Sequence, residues 1–263
     1  MDVGVVSWSV GSDYEYCKVQ KQKDSLSSPD PYFDEKCIND RNALAPEICE
    51  QIIQEKHVAL LCLQRAQQYQ MKDWLGDQYV IHGDTSDTAV AYDKNRFEFV
   101  DKCLKGNSWT ILALKDKQSK KIFVVASAHL SPNADSNQGV YAIEEYNGAK
   151  GLVEAVEEVA KEYYASLAII GMDIPGKGYD PSSGVLLNKG FTVGRGDALS
   201  SYFDKEPKSD YIFAKVYGKE SAKVEERTLL RSESISDRQA LLGRVTVQPQ
   251  SWMGWTTSSC VML

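Results

Sequence analysis

The stretch Ile169-Ile170-Gly171-Met172-Asp173-Ile174-Pro175 decides the reading of this chain. An apolar run of strand length ends in a carboxylate and is closed by a proline. Three other stretches are read with it: Val5-Val6-Ser7-Trp8-Ser9, Leu61-Cys62-Leu63-Gln64-Arg65 and Ile235-Ser236-Asp237-Arg238.

Working outward, Val3 to Val10 reads as a strand. A segment rich in Ser, Asp, Pro and Lys, from Gly11 to Asn42, reads as a long functional or mobile loop. Ala43 to Gln54 reads as a helix that buries Leu44, Ile48 and Ile52, with Pro46 in its first turn. His57 to Gln64 suits a buried strand, and Arg65 to Leu75 a helix. From Gln78 onward hairpins take over, with strands at Tyr79–His82, Thr88–Tyr92 and Phe97–Val100. Trp109–Lys115 and Lys121–Leu130 flank the polar turn Asp116-Lys117-Gln118-Ser119-Lys120. Tyr141 to Tyr164 is a long amphipathic helix with Ala149, Leu152, Val153, Val156, Val159 and Ala160 on its apolar face. Strands follow at Leu167–Met172, Tyr211–Val216 and Leu242–Val247. The charged stretch Lys219 to Arg231 reads as a solvated loop or exposed helix. The fold class expected is α+β: a four-layer α/β sandwich in which two packed mixed β-sheets are flanked by helices, over residues 1–247.

The bulk properties narrow the function. The chain has 263 residues, 43% of them hydrophobic and 25% charged, enough for a substantial core. Its net charge is −7, and a nucleic-acid partner is not expected without a basic footprint. No apolar run reaches transmembrane length, and the first residues carry no secretory pattern. Six cysteines without CxxC spacing suggest free thiols in a reducing compartment, with Cys62 and Cys103 as small core residues. His57 and His82 carry no functional reading.

Taken in order, these segments resemble the endonuclease/exonuclease/phosphatase superfamily, and the resemblance runs from about residue 3 to 247. The resemblance implies a site built from an Asn after the first strand, a Mg²⁺-binding Glu in Leu-Gln-Glu, a His in Thr-His-Leu, an Asp and an Asn in Gly-Asp-Phe-Asn, an Asp before Tyr-Ile-Phe, and a final Asp–His pair. At those positions this chain carries Ser9, Arg65, His129, Asp173, Pro175, Asp210, Asp237 and Arg238. His129, Asp173, Asp210 and Asp237 are therefore retained. Ser9, Arg65, Pro175 and Arg238 are substitutions.

The substitutions oppose the chemistry that the resemblance implies. Mg²⁺ is held by oxygen donors and neutralises charge on a phosphoryl group. Arg65 removes a donor and adds a fixed cation. At a separation of ~4 Å and an effective dielectric near 20, its repulsion of a divalent ion amounts to several kcal/mol. Pro175 has no side-chain amide, and Arg238 does not act as a base at neutral pH. The expectation is a filled site with no cofactor, where Arg65 and Arg238 pair with Asp173, Asp210 and Asp237; the bland alternative turns both guanidinium groups out to solvent. His129 would then be a histidine bonded to a neighbouring carboxylate.

The chain closes Ser258-Ser259-Cys260-Val261-Met262-Leu263. Cysteine, two aliphatic-type residues and Leu match a prenylation box, after a polar tether over residues 248–263. One lipid gives only reversible membrane binding, so Trp252, Trp255 or a partner protein would supply a second contact. The expectation is a cytoplasmic protein, peripheral on the cytosolic face of a membrane, catalytically inactive, that binds an unidentified protein partner as a scaffold. The alternative is a Mg²⁺-dependent phosphodiesterase or phosphatase acting on a phosphoinositide-like or other phosphate ester.

Overall fold

In a computed structural model, residues 1–10, 35–65, 68–83, 87–105, 108–130, 138–173, 181–194, 210–229 and 240–249 are described. Twelve strands and four helices form among them. The strands are β1 (Asp2–Ser9), β2 (Val58–Gln64), β3 (Tyr79–Gly83), β4 (Thr88–Asp93), β5 (Phe97–Lys105), β6 (Trp109–Asp116), β7 (Ile122–His129), β8 (Leu167–Asp173), β9 (Thr192–Val193), β10 (Asp210–Val216), β11 (Glu220–Leu229) and β12 (Ala240–Pro249). The helices are α1 (Glu35–Lys56), α2 (Gln68–Leu75), α3 (Gln138–Glu162) and α4 (Pro181–Asn188).

The strands make two six-stranded sheets, in the orders β11-β12-β1-β2-β4-β3 and β5-β6-β7-β8-β10-β9. Both are mixed, since β1 runs parallel to β2 and β7 parallel to β8 while the other pairs are antiparallel. The parallel pairs follow from the helices between them, because a parallel return needs a long crossover.

Period-two alternation sorts the strand residues into three apolar layers. Val6, Trp8, Leu61, Leu63 and Leu242 pack outward against Ala45, Cys49 and Ile52 of α1 and Met71 and Trp74 of α2. Val124, Ala126, Ile170, Met172 and Phe213 pack outward against Leu152, Val153 and Val156 of α3 and Leu186 of α4. Val3, Val5, Leu60, Cys62, Val90, Leu112, Phe123, Val125, Ile169, Ile212 and Val245 fill the space between the sheets. Helix, sheet, sheet, helix is the four-layer sandwich that the sequence suggests.

Three expectations need correction. The first helix begins at Glu35, so Pro46 lies in its interior and not in a first turn. Pro46 sits on the exposed side of that helix, and the buried face carries Arg41, Ala45, Cys49, Ile52 and Ile53 while Leu44 is exposed. Of the three predicted core positions, Ile52 is buried and Ile48 packs partly buried against the same cluster, and only Leu44 faces out. The part of the expected loop from Glu35 to Asn42 is helical, and the part over residues 11–34 falls outside the described residues. Most of the stretch from Lys219 to Arg231 is the edge strand β11, paired with β12 from Glu220↔Pro249 to Leu229↔Ala240. Its charges conceal the strand because one face of an edge strand meets water, and charge there also discourages edge-to-edge association.

Candidate functional site

The same alternation that builds the inner layer changes chemistry at one end of the sandwich. Going along β1, the inward series Val3, Val5 continues as Ser7 and Ser9. In β2, Leu60 and Cys62 give way to Gln64; in β7, Phe123 and Val125 to Ser127 and His129; in β8, Leu167 and Ile169 to Gly171 and Asp173. Thr88 of β4, Thr110 of β6 and Asp210 of β10 fall in the same inward register. The inner core is thus apolar for most of its length and polar at a single rim.

Strand pairing places three of the predicted residues in a row across the second sheet. His129 is the register partner of Asp173, and Asp173 is the partner of Asp210. His129 Nε2 lies 4.0 Å from Asp173 Oδ2, with the Asp173 side chain fully buried. Asp210 is also buried. In the first sheet Ser9 pairs with Gln64, and Arg65 follows directly on Gln64. Arg65 has a left-handed backbone (φ 53°), and its N–H donates to the carbonyl of Asp87. Ser9, Arg65, His129, Asp173 and Asp210 therefore belong to one rim. Pro175, Asp237, Arg238 and Cys260 fall outside the described residues.

One residue of the site went unread in the sequence. Asp87 Oδ1 lies 2.8 Å from His129 Nδ1. A carboxylate oxygen only accepts, so Nδ1 carries the proton and Nε2 is turned toward Asp173. The bond crosses from one sheet to the other. Asp87 has no motif around it and lies 42 positions from His129; its place before β4 becomes meaningful only once the sheets are packed.

A buried polar layer supports this rim. Gln64 Nε2 donates to Ser7 Oγ at 3.3 Å, to Ser127 Oγ at 3.2 Å, and to the carbonyls of Cys62 and Gly171 at 3.2 Å each. Ser127 Oγ donates to the carbonyl of Leu63 at 2.8 Å. Gly171 is required there, since a Cβ would come within 2.4 Å of Cys62 Cβ. Burial pushes the Cys62 thiol up to about 12, so it is inert at neutral pH and serves the core, as the sequence suggests.

Asp87, Asp173 and Asp210 offer carboxylate oxygens, yet the residue after Gln64 is a cation. Among the described residues no cluster of three or more His, Cys, Asp or Glu side chains is arranged to hold a metal ion.

No family sequence model and no curated protein matches the sequence. Solved structures do. A Bacteroides vulgatus endonuclease/exonuclease/phosphatase superposes with a TM-score of 0.66 at 14% identity, covering 94% of this chain and 100% of its own. A mannosyl-6-phosphatase of Bacteroides thetaiotaomicron gives 0.62 at 14% identity, covering 93% and 99%. The catalytic domain of human Nocturnin, with a bound sulfate anion, gives 0.62 at 15% identity, covering 94% and 95%. Two six-stranded mixed sheets between helices, polar at one rim and superposable over nearly their whole length on these structures, are the endonuclease/exonuclease/phosphatase fold.

Proposed function

We propose that this protein uses an endonuclease/exonuclease/phosphatase fold without its hydrolytic chemistry, as a binding or scaffold module. The observation that carries this reading is the position of Arg65. It leaves the end of β2 at the polar rim, and its main chain is bonded to Asp87, the residue that holds His129. A fixed cation stands there where the sequence resemblance implies a magnesium-binding Glu. Pro175 and Arg238 remove the remaining polar and basic groups that the resemblance implies, and each such loss typically lowers a rate by orders of magnitude. In this reading the guanidinium groups of Arg65 and Arg238 neutralise the carboxylates of Asp173, Asp210 and Asp237 in place of a metal.

In this reading Cys260 carries a prenyl group, and the module sits on a cytosolic membrane face beside a protein partner. Among the described residues no helix is long and apolar enough to cross a membrane. Conversion of Cys260→Ser is expected to release the protein from the membrane fraction; unchanged partition ends this part of the reading.

The second reading is a metal-dependent phosphoric ester hydrolase with a rearranged site. It is favoured by the alignment of His129, Asp173 and Asp210 along three neighbouring strands. Bis(p-nitrophenyl) phosphate and p-nitrophenyl phosphate, assayed with Mg²⁺ and with Mn²⁺, separate the two. Our reading expects no metal-dependent turnover; turnover abolished by His129→Ala would establish the hydrolase instead.

A further inference from the structure

His129 and Asp87 come from different sheets, and most of what joins those sheets is apolar side chains such as Leu60, Phe97, Leu112 and Phe123. Apolar contacts are non-directional, so they fix the spacing of two sheets better than their lateral registry. A 2.8 Å hydrogen bond across that gap needs something directional beside it. Gln64 of the first sheet supplies part of it through Ser127 and Gly171 of the second, as does Ser127 through the Leu63 carbonyl; next to Asp87 itself, Thr88 and Thr110 supply it. Thr88 is the residue after Asp87, and its Oγ1 lies 3.0 Å from Thr110 Oγ1. Thr110 Oγ1 is also 3.0 Å from the carbonyl oxygen of Thr88. Both threonines are buried. On the second sheet, Ser108 lies two residues before Thr110, and its carbonyl accepts from the His129 N–H at 2.8 Å.

These bonds close a ring. Starting at Asp87, the path runs along the chain to Thr88, across the sheets to Thr110, back along the chain to Ser108, through a main-chain bond to His129, and across the sheets again to Asp87. Each cross-sheet bond limits the sliding that would break the other. The Arg65 N–H bonded to the Asp87 carbonyl anchors the ring to the end of β2.

We propose that the Thr88–Thr110 hydroxyl pair is a positioning element of the cleft: it holds the two sheets in the registry at which Asp87 bonds His129 Nδ1, and so aims His129 Nε2 at Asp173. Both threonines act through Asp87. The proposal is independent of whether the cleft is catalytic, because it concerns how its histidine is held.

The imidazole proton reports the outcome. In wild-type protein with ¹⁵N-labelled histidine, the His129 Nδ1 proton is expected to be bonded and protected from exchange, and Asp87→Asn or Asp87→Ala is expected to abolish that protection. Thr88→Val combined with Thr110→Val keeps side-chain shape and removes both hydroxyls. With main-chain amide signals of the sheets retained, the double variant is expected to lose Nδ1 protection by at least tenfold, and Thr110→Ser to keep it. Should the double variant fail to fold, Thr110→Val alone decides by the same readout. Full Nδ1 protection in a folded hydroxyl-free variant overturns the proposal, as does a wild-type Nδ1 proton that exchanges freely.

Discussion

His129 and Asp173 end two adjacent parallel strands as register partners, and the imidazole Nε2 stands 4.0 Å from the Asp173 carboxylate while Nδ1 is engaged by Asp87. The histidine is therefore held between carboxylates contributed by both sheets. Removing one of them should be felt in the fold as well as in the cleft. Asp87→Ala is expected to destabilise the protein by about 1.5–3 kcal/mol, the range for hydrogen bonds to charged groups. Urea denaturation measures it, and an effect below about 0.5 kcal/mol would show the pair to be decorative.

Gln64→Leu is expected to cost more than its change in volume implies. One amide nitrogen reaches two hydroxyls and two carbonyls on four strands. Leucine leaves those buried acceptors without that donor, at about 1–3 kcal/mol for a buried group left unsatisfied. Chemical denaturation, compared with Leu63→Ala at the neighbouring purely apolar position, separates lost hydrogen bonding from lost packing.

Two glycines in the sheets should respond differently to alanine. At Gly171 a Cβ meets Cys62 Cβ at 2.4 Å and Sγ at 2.9 Å, both on a short side chain fixed to a central strand. At Gly243 it meets Ile212 Cδ1 at 2.6 Å, the far end of a side chain that can change rotamer. Gly171→Ala is expected to cost about 1–3 kcal/mol, as overpacking of a close-packed core does, and Gly243→Ala less. Thermal melts of the two variants in parallel test the order.

Alkaline pH should unfold the protein in a definite window. Burial raises the thiols of Cys49 and Cys62 from 9.0 to about 12. A group whose pKa is raised on folding holds its proton longer in the native state. Its contribution to stability is complete below pH 9 and is lost as pH rises toward 12. Each thiol adds a slope of at most about 1.4 kcal/mol per pH unit in that window. Denaturation midpoints at pH 8 and pH 10.5 measure the loss. Cys62→Ala should flatten the alkaline slope while lowering stability at pH 8.

Much of this architecture was legible in the residues, for identifiable reasons. Buried strands such as Leu167–Asp173 announce themselves by apolar runs, and strand ends by the change from Cys62 to Gln64 or from Ile169 to Asp173. Ser9, Gln64, His129, Asp173 and Asp210 fall at one rim because a period of two carries each inward series to the same end of the sandwich, and Arg65 reaches it as the residue after Gln64. The edge strand β11 escaped notice because the exposed Lys223 and Glu225 on either side of buried Val224 make it read as a solvated charged stretch. The start of α1 was placed at Ala43 and not at Glu35 because Pro46 reads as a first-turn residue. Asp87 was invisible for a deeper reason: its partner is fixed by packing between sheets, and no local pattern encodes that.

The central claim, that a guanidinium has replaced the metal at this rim, is tested most directly by titrating Mg²⁺ and Mn²⁺ into the full-length protein and following binding by calorimetry and by the ¹H–¹⁵N signals of His129 and Asp173. The account predicts no saturable binding at millimolar metal and no site-specific shift at either residue. A single saturable site that perturbs both residues, with Arg65 unaltered, would contradict it.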